Sequence, residues 1–481
     1  MNQDLTKGNV TKTMLIFAAP MILGNLMQQC YNIADSLIVG RFLGADALGA
    51  VGSAYALMTF LTSVLIGLCM GSGSLFSFYF GKGDKNGLHN ATTTAFCFIA
   101  CITLVINIVV FWGIDVILGL LRVPASVYAM MREYVFVIFM GIFFVFLYNY
   151  FAYLLRAMGN SVTPLLFLGG AALLNIGLDF LFIAKFSWGI WGAAAATVIA
   201  QAFSGLGIGC YVLLKGRAAA SGGKAGGEKA DGEKIGGEKA GGEKAGGEKT
   251  GGSAGDCKNG IHGKETKNRK HFTGEVIRFS TAACVQQSVM NFGILMIQGL
   301  VNSFGTAVMA AFAAAVKIDT LAYMPAQEFA NAYSIFISQN QGAGEQGRIK
   351  KGTKSAILIS VLFCLCISCM VYIMSPRFMQ LFVKGTEREI IDIGTGYLRI
   401  EGVFYWGIGL LFLLYGYFRG IGKPEVSVVL TVISLGTRVA LAYALSPFPQ
   451  IGVYGIWWAV PIGWILADIA GLVFINPLTS T

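Results

Sequence analysis

An apolar stretch near the start of the chain, from Pro20 to Gly40, contains four polar side chains at helical spacing. At positions i, i+3, i+4 and i+7 they are Gln28, Tyr31, Asn32 and Asp35. A helix would present all four on one face. A carboxylate at the centre of a bilayer costs about 2.5–3.5 kcal/mol on insertion scales. Such a group generally faces a cavity or a partner, so Asp35 is a candidate for ion chemistry.

Two later apolar runs contain polar groups that could complete a site with Asp35. Asn175 and Asp179 are four residues apart and therefore share a helix face. Thr197 follows a run of alanines whose small side chains permit close helix approach. Together these residues form an all-oxygen set, which suits a hard cation or two acids that share a proton. The structural alternative is that the later three residues only join helices by hydrogen bonds.

Weaker signals indicate a substrate cavity and a bend in the first helix. The cavity candidates are polar or aromatic residues of the first and fourth apolar runs: Gln28, Tyr31, Asn32, Asn149 and Tyr153. Pro20 lies fifteen residues before Asp35 in the same run. Because proline removes one backbone hydrogen bond, it predicts a kink there, either static or a hinge.

Composition places the chain among polytopic membrane proteins. Of its 481 residues 55% are hydrophobic and 12% are charged, whereas soluble proteins have about 25% charged residues. The formal net charge is +10, but the basic residues cluster in short loops and one central segment, which fits membrane topology better than nucleic-acid binding. The three His all fall in loops. We therefore expect no enzyme active site, no cofactor and no metal beyond a possible coupling Na⁺.

The apolar runs predict an all-α protein with twelve transmembrane helices. The predicted spans are 13–38, 50–78, 91–113, 134–156, 162–184, 190–214, 276–302, 307–337, 353–375, 397–418, 425–446 and 452–475. Lys and Arg concentrate before the first span and in the even-numbered loops. This distribution predicts a multi-pass protein of the plasma (inner) membrane with both termini cytoplasmic.

The two halves of the chain echo one another. Gly81-Lys-Gly83 corresponds to Gly342-Ala-Gly344, and Arg156-Ala-Met-Gly159 corresponds to Arg419-Gly-Ile-Gly422. The echo predicts two six-helix parallel-repeat lobes, 1–214 and 274–481, with a substrate site at their interface. Between them, 215–273 contains Gly-Gly-Glu-Lys-Ala repeats, which predict a flexible cytoplasmic linker.

The repeat also predicts that the acidic cluster belongs to one half only. In register, Asn175 falls opposite Arg438 and Asp179 opposite Ala442. The second half has its own candidate buried ions in Lys317 and Asp319, two positions apart. Since they cannot share a helix face, each is predicted to pair with another span.

At these residues the chain resembles the multidrug and toxic compound extrusion (MATE) transporters. The resemblance covers both six-span halves but not the linker, and its most specific segments are 32–40, 156–161, 175–183 and 323–327. It implies two lobes in a V arrangement that alternate access and export organic cations in exchange for H⁺ or Na⁺. It also implies that the cation or proton site is Asp35, Asn175, Asp179 and Thr197. Pro20 would be a bend linked to the occupancy of that site.

Other functions remain open on the sequence. A flippase for lipid-linked oligosaccharide would have a more cationic central cavity than these spans provide. A channel fits a one-sided carboxylate site less well than alternating access does, and a non-transporting sensor is a further alternative. We expect a monomer in lipid whose partners are small organic cations and not nucleic acid.

Overall fold

The computed structural model describes residues 3–120, 125–227, 256–383 and 386–479, and every regular element in these ranges is helical. The first half contains α1 (Val10–Leu43), α2 (Ala45–Lys82), α3 (Lys85–Leu120), α4 (Ala125–Met140), α5 (Ile142–Ala157), α6 (Val162–Asp179), a π-helical segment (Phe180–Lys185) and α7 (Gly189–Gly227). The second half contains α8 (Asp256–Asn302), α9 (Thr306–Gly342), α10 (Gln346–Gln380), α11 (Arg388–Val403), α12 (Tyr405–Gly420), α13 (Pro424–Leu445) and α14 (Val453–Thr479).

Twelve membrane spans are present, as the sequence predicts. In the described ranges ten helices are long and apolar enough to cross a bilayer, and two bent pairs bring the number to twelve. The bent pairs are α4 with α5, at 46°, and α11 with α12, at 53°. They are the fourth and tenth spans, which occupy equivalent places in the two halves.

These two spans begin earlier than predicted, because the prediction located only the segment after each bend and part of the segment before it. The predicted starts are 134 and 397, whereas α4 begins at Ala125 and α11 at Arg388. At each break one amide bonds only three residues back: the amide of Gly141 to the Ile138 carbonyl at 2.8 Å, and that of Phe404 to Glu401 at 2.9 Å. Each first segment contains charged residues, so apolarity alone locates only the later part of the span.

The predicted linker is helical at both of its ends. Helix α7 continues to Gly227 and α8 begins at Asp256, so both enter the predicted segment 215–273. Most of the Gly-Glu-Lys repeat falls in 228–255, which lies outside the described residues. The linker and the lobe boundaries stay predictions.

Two hydrophobic cores define an amino lobe and a carboxyl lobe, and α1 and α8 each belong to both. The first half of α1 packs into the carboxyl-lobe core through Met14, Phe17, Ala18 and Met21, whereas Val39 packs into the amino-lobe core. Helix α8 does the reverse: Val276, Phe279 and Ala283 lie in the amino-lobe core, and Ile297 and Val301 in the carboxyl-lobe core. Each of these helices therefore ties one lobe to the other.

The lobes meet in backbone contact at one end of the bundle, here called the amino-terminal face because α1 begins there. A Cβ placed on Gly81 of α2 would lie 2.0 Å from the carbonyl oxygen of Gln339 on α9. A Cβ on Gly342 of α9 would lie 2.0 Å from the carbonyl oxygen of Phe78 on α2. The glycines that echo one another in the sequence thus form a reciprocal contact, and the lobes are closed on each other at this face.

Pro20 lies inside α1, which remains one helix from Val10 to Leu43. It lies within the part of α1 that packs in the carboxyl lobe, because Met21 still belongs to that core and Asn25 bonds Glu328 of α9. Its role as a hinge stays a prediction.

Candidate functional site

The two aspartates of the predicted site meet where α1 packs on α6. The carboxyl groups of Asp35 and Asp179 lie within side-chain hydrogen-bond reach of each other. Asp179 is fully buried. Both of its oxygens and Oδ1 of Asp35 are buried without a donor among the described residues. Because an ionised carboxylate can only accept, a shared proton or a cation would stabilise the two groups next to each other.

Asn175 and Thr197 complete the set by joining α6 to α7. The Asn175 amide donates to the hydroxyl oxygen of Thr197 over 3.3 Å. Asn175 is 2% exposed, and its own Oδ1 is buried without a donor in the described chain, which leaves that oxygen available to a ligand. The alanines before Thr197 are buried, so α7 approaches closely as predicted. The structure thus brings all four predicted residues onto three adjoining helices.

The sequence did not reveal the π-helical segment that directly follows Asp179, Phe180–Lys185. Phe186 donates its amide to the Leu181 carbonyl, five residues back, at 3.0 Å. Phe180 contacts Phe42 of α1 edge to face, with the ring centroids 5.9 Å apart. Single π-helical turns inside α-helices are frequent at functional sites. Here the turn ends the regular helix at the residue that faces Asp35.

Tyr134 of α4 is a site residue that the sequence analysis missed. It is 6% exposed and lies within electrostatic range of Asp35, Asp179 and Tyr31. Its place beside the aspartates was hard to predict from the sequence, because an isolated tyrosine at the edge of an apolar run is common at membrane interfaces. The bend between α4 and α5 separates the segment that contains Tyr134 from the rest of the span.

The predicted cavity residues fall into two groups. Gln28, Tyr31 and Asn32 are half-buried on α1, on the same face as Asp35. Asn149 and Tyr153 lie on α5 and contact residues of their own helix and of α2 instead. The Asn149 amide donates to the Val145 carbonyl of its own helix at 2.9 Å. The Tyr153 ring packs against Gly73 of α2 and lies under the Arg156 guanidinium, 5.3 Å from the ring centroid.

The carboxyl lobe contains a second carboxyl pair, at positions that do not correspond to the first site in the repeat. Asp319 of α9 and Glu401 of α11 are 5% and 1% exposed and within hydrogen-bond reach of each other. The repeat comparison missed the pair because it considered only the counterparts of the first site, and this pair uses other spans. Asp319 pairs across spans as predicted, while Lys317 is exposed.

The two pairs differ in their surroundings. Arg438 of α13 lies near enough to act electrostatically on both Asp319 and Glu401, and Tyr397 and Tyr405 surround the pair. The pair in the carboxyl lobe therefore has a cation nearby. No such cation is found among the described groups that act on the pair in the amino lobe.

A polar chain links α1 to the carboxyl lobe between Pro20 and the aspartate pair. Asn25 of α1 donates to Glu328 Oε1 of α9 over 3.0 Å, and Asn331 donates to the same oxygen over 3.2 Å. Arg419 of α12, 3% exposed, donates to Asn331 Oδ1 over 3.1 Å. This link joins α1 to α9 at a point further along α1 than its apolar contacts with the carboxyl-lobe core.

Twelve spans in two repeated lobes, with a buried carboxyl pair against the shared helix α1, define a membrane transporter rather than an enzyme. The family model MatE matches residues 20–181 and 282–444, one segment in each half. The chain belongs to this family of multidrug efflux transporters, as the sequence motifs predicted.

Known proteins resemble the chain over nearly its full length. It is 28% identical to "Probable multidrug resistance protein YpnP" of Bacillus subtilis (strain 168) over 431 residues, 90% of this chain and 87% of that protein. It is 22% identical to "Probable multidrug resistance protein NorM" of Thermotoga maritima, over 93% of this chain and 88% of that protein.

A solved structure shows the same fold. It is described as the outward-facing conformation of a multidrug resistance MATE family transporter of the MOP superfamily. It superposes with a TM-score of 0.83 at 22% identity and covers 99% of this chain and 97% of its own. These likenesses do not favour the flippase alternative.

Proposed function

We propose that the protein is an antiporter that exports small organic cations across the plasma membrane by alternating access, in exchange for H⁺ or Na⁺. One observation carries the proposal. Asp35 and Asp179 are neighbouring buried carboxyl groups that a proton or a cation would stabilise, and Asp35 lies on α1, which contacts both lobes.

Loading this pair would change the force between α1 and α6. With both carboxylates ionised the two groups repel each other, whereas a proton or Na⁺ lets them approach. Asp35 cannot move freely, because the first half of α1 is packed in the carboxyl lobe and Asn25 bonds Glu328. A change in the distance between Asp35 and Asp179 therefore acts on the relative position of the lobes.

Basic residues assign the amino-terminal face to the cytoplasm. Lys7, Lys12, Lys82 and Lys350 lie near this face, as the positive-inside rule expects of cytoplasmic segments. Both termini would then be cytoplasmic, and the closed face would be the inner one.

Substrate would bind beside the coupling site. Gln28, Tyr31 and Asn32 lie on the face of α1 that bears Asp35, and they offer hydrogen-bonding groups and a ring. A carboxylate next to aromatic rings is a suitable environment for an organic cation, which would compete with the coupling ion for Asp35.

The test is transport of a fluorescent organic cation in proteoliposomes. We expect either a Na⁺ gradient at constant pH or a pH gradient without Na⁺ to drive uptake in the direction opposite to the ion. Asp35→Asn and Asp179→Asn should each abolish the ion-driven component. Asp392→Asn, which alters an exposed carboxylate on α11, is the matched control and should transport normally.

Two results would overturn the proposal. One is gradient-driven transport by Asp35→Asn at the native rate. The other is transport by the native protein that neither gradient stimulates.

A further inference from the structure

The residues before α1 form a short ordered strap, residues 3–9. Asp4 organises it: its Oδ1 accepts from the Thr6 amide over 3.0 Å, and its Oδ2 lies 3.2 Å from the Lys7 ammonium. Asn9 then caps α1 by accepting from the Lys12 amide over 3.1 Å. Leu5 is fully buried and packs in the carboxyl-lobe core. The strap is thus docked through Leu5, while Asp4, Lys7, Gly8 and Asn9 are exposed.

The carboxyl lobe holds the strap by its backbone. Arg348 of α10 donates to the carbonyl of Gly8 over 2.8 Å and to those of Leu5 and Lys7 over 3.1 Å each. Asn340 of α9 donates to the Leu5 carbonyl over 3.2 Å and accepts from Arg348 Nε over 3.1 Å. One guanidinium therefore uses all its nitrogens on this contact, with charge-assisted bonds.

The amino lobe binds the same strap at Gln3, two residues before Leu5. The Gln3 amide donates to the Gly159 carbonyl over 2.9 Å, in the turn between α5 and α6. A Cβ on Gly159 would lie 1.9 Å from the Gln3 carbonyl oxygen, and its φ of +80° also favours glycine. From Gln3 to Leu5 the chain spans at most about 7 Å. The strap therefore crosses from one lobe to the other at the closed face.

We propose that Arg348, Asn340 and Gly159 form a binding surface for an extended peptide at the lobe junction, and that residues 3–8 are its resident ligand. The surface is complete only while the lobes meet, because Gly159 belongs to one lobe and Arg348 to the other. The strap is therefore a latch: it stabilises the closed amino-terminal face and is released from one lobe when that face opens.

The surface is not a product of the internal repeat. Arg348 lies six residues after Gly342, and six residues after Gly81 the other half has Gly87. The first half therefore lacks, at the position equivalent to Arg348, the guanidinium on which the clamp depends.

Hydrogen exchange on the purified full-length protein tests the docking without any need for transport. The amides of Gln3, Thr6 and Lys7, which are hydrogen-bonded in the docked strap, should exchange slowly in the native protein. Arg348→Ala should speed their exchange by at least about tenfold, since it removes three bonds from a charged donor. Leu5→Asp, which acts from the strap, should do the same. Lys351→Ala, an exposed cation one turn along α10, is the control and should leave exchange unchanged.

A distance measurement tests the latch. Spin labels at the exposed positions Lys82 and Lys350, in a background without exposed native cysteines, report the separation of the lobes. Arg348→Ala and Leu5→Asp should each raise the separated population about tenfold, while Lys351→Ala should not. Native exchange at the rate of an unstructured peptide, or faster exchange with no change in lobe separation, would overturn the latch. Folding of each variant is verified by its melting temperature, and either variant alone suffices for the test.

Discussion

The glycine contact between α2 and α9 makes a quantitative prediction for Gly81→Ala and Gly342→Ala. Each added methyl would lie 2.0 Å from a backbone oxygen of the other lobe, whereas real Cβ atoms do not approach within 3.0 Å of a heavy atom. The helices must therefore separate by at least about 1 Å, and since the obstacle is backbone, no side-chain rotation relieves it. Overpacking of this kind costs about 1–3 kcal/mol.

This overpacking free energy destabilises only the conformation in which the amino-terminal face is closed. The equilibrium should shift towards the open face by about 5- to 150-fold for each variant. Distances between spin labels at Lys82 and Lys350 measure the shift. Gly347→Ala is the matched control, because nothing lies within 4 Å of a Cβ at that position, and its distance distribution should be native.

One result would refute the prediction for the two glycine variants. If both alanine variants fold with native melting temperatures and keep the native distance distribution, the reciprocal contact does not determine closure. A lowered melting temperature without lobe separation would place the cost in the fold itself and would likewise refute the prediction.

Three further predictions follow from the lobe contacts and the second carboxyl pair. Arg438→Met should destabilise the protein by about 1 kcal/mol, because it removes the half-buried cation that acts on two buried carboxyl groups; the double variant with Glu401→Gln should recover part of that loss in a thermal melt, and a double variant as unstable as the single one would contradict the interaction. Asn25→Ala should weaken the coupling of ion to substrate while leaving ion binding at Asp35 intact, so that ion uptake without substrate export rises; unchanged stoichiometry would count against the link to Glu328. Deleting residues 222–252 should leave transport within about twofold, as expected of a spacer, and an inactive but folded deletion would disprove that role.

The sequence predicted the number of spans and the first site because both depend on local signals. A run of apolar residues identifies a span in any context, and a carboxylate inside one, such as Asp35, is conspicuous for its cost. Asn175 and Asp179 could be paired because their spacing shares a helix face. That α1 and α6 adjoin was supplied by the family resemblance.

The features that the sequence missed depend on tertiary contact. Glu401 lies inside the predicted tenth span, but nothing in the sequence indicates that it lies beside Asp319 of the eighth. Nothing in the residues around Gly141 or Asp179 distinguishes a broken or π-helical turn from a continuous helix. The docking of the strap could not be predicted for a related reason. Arg348 bonds backbone carbonyls, and every residue has one, so the strap's sequence does not identify its partner.

The exchange of α1 and α8 between lobes has a consequence for how the chain is made. Met14 and Phe17 are synthesised first, yet the surface that buries them belongs to helices near the end of the chain. During synthesis these side chains must remain in lipid or against temporary partners until α9 and α10 are inserted. The two halves should consequently assemble poorly when expressed as separate fragments, because each lacks a helix segment that completes its own core. The first helix to enter the membrane is among the last to reach its native contacts.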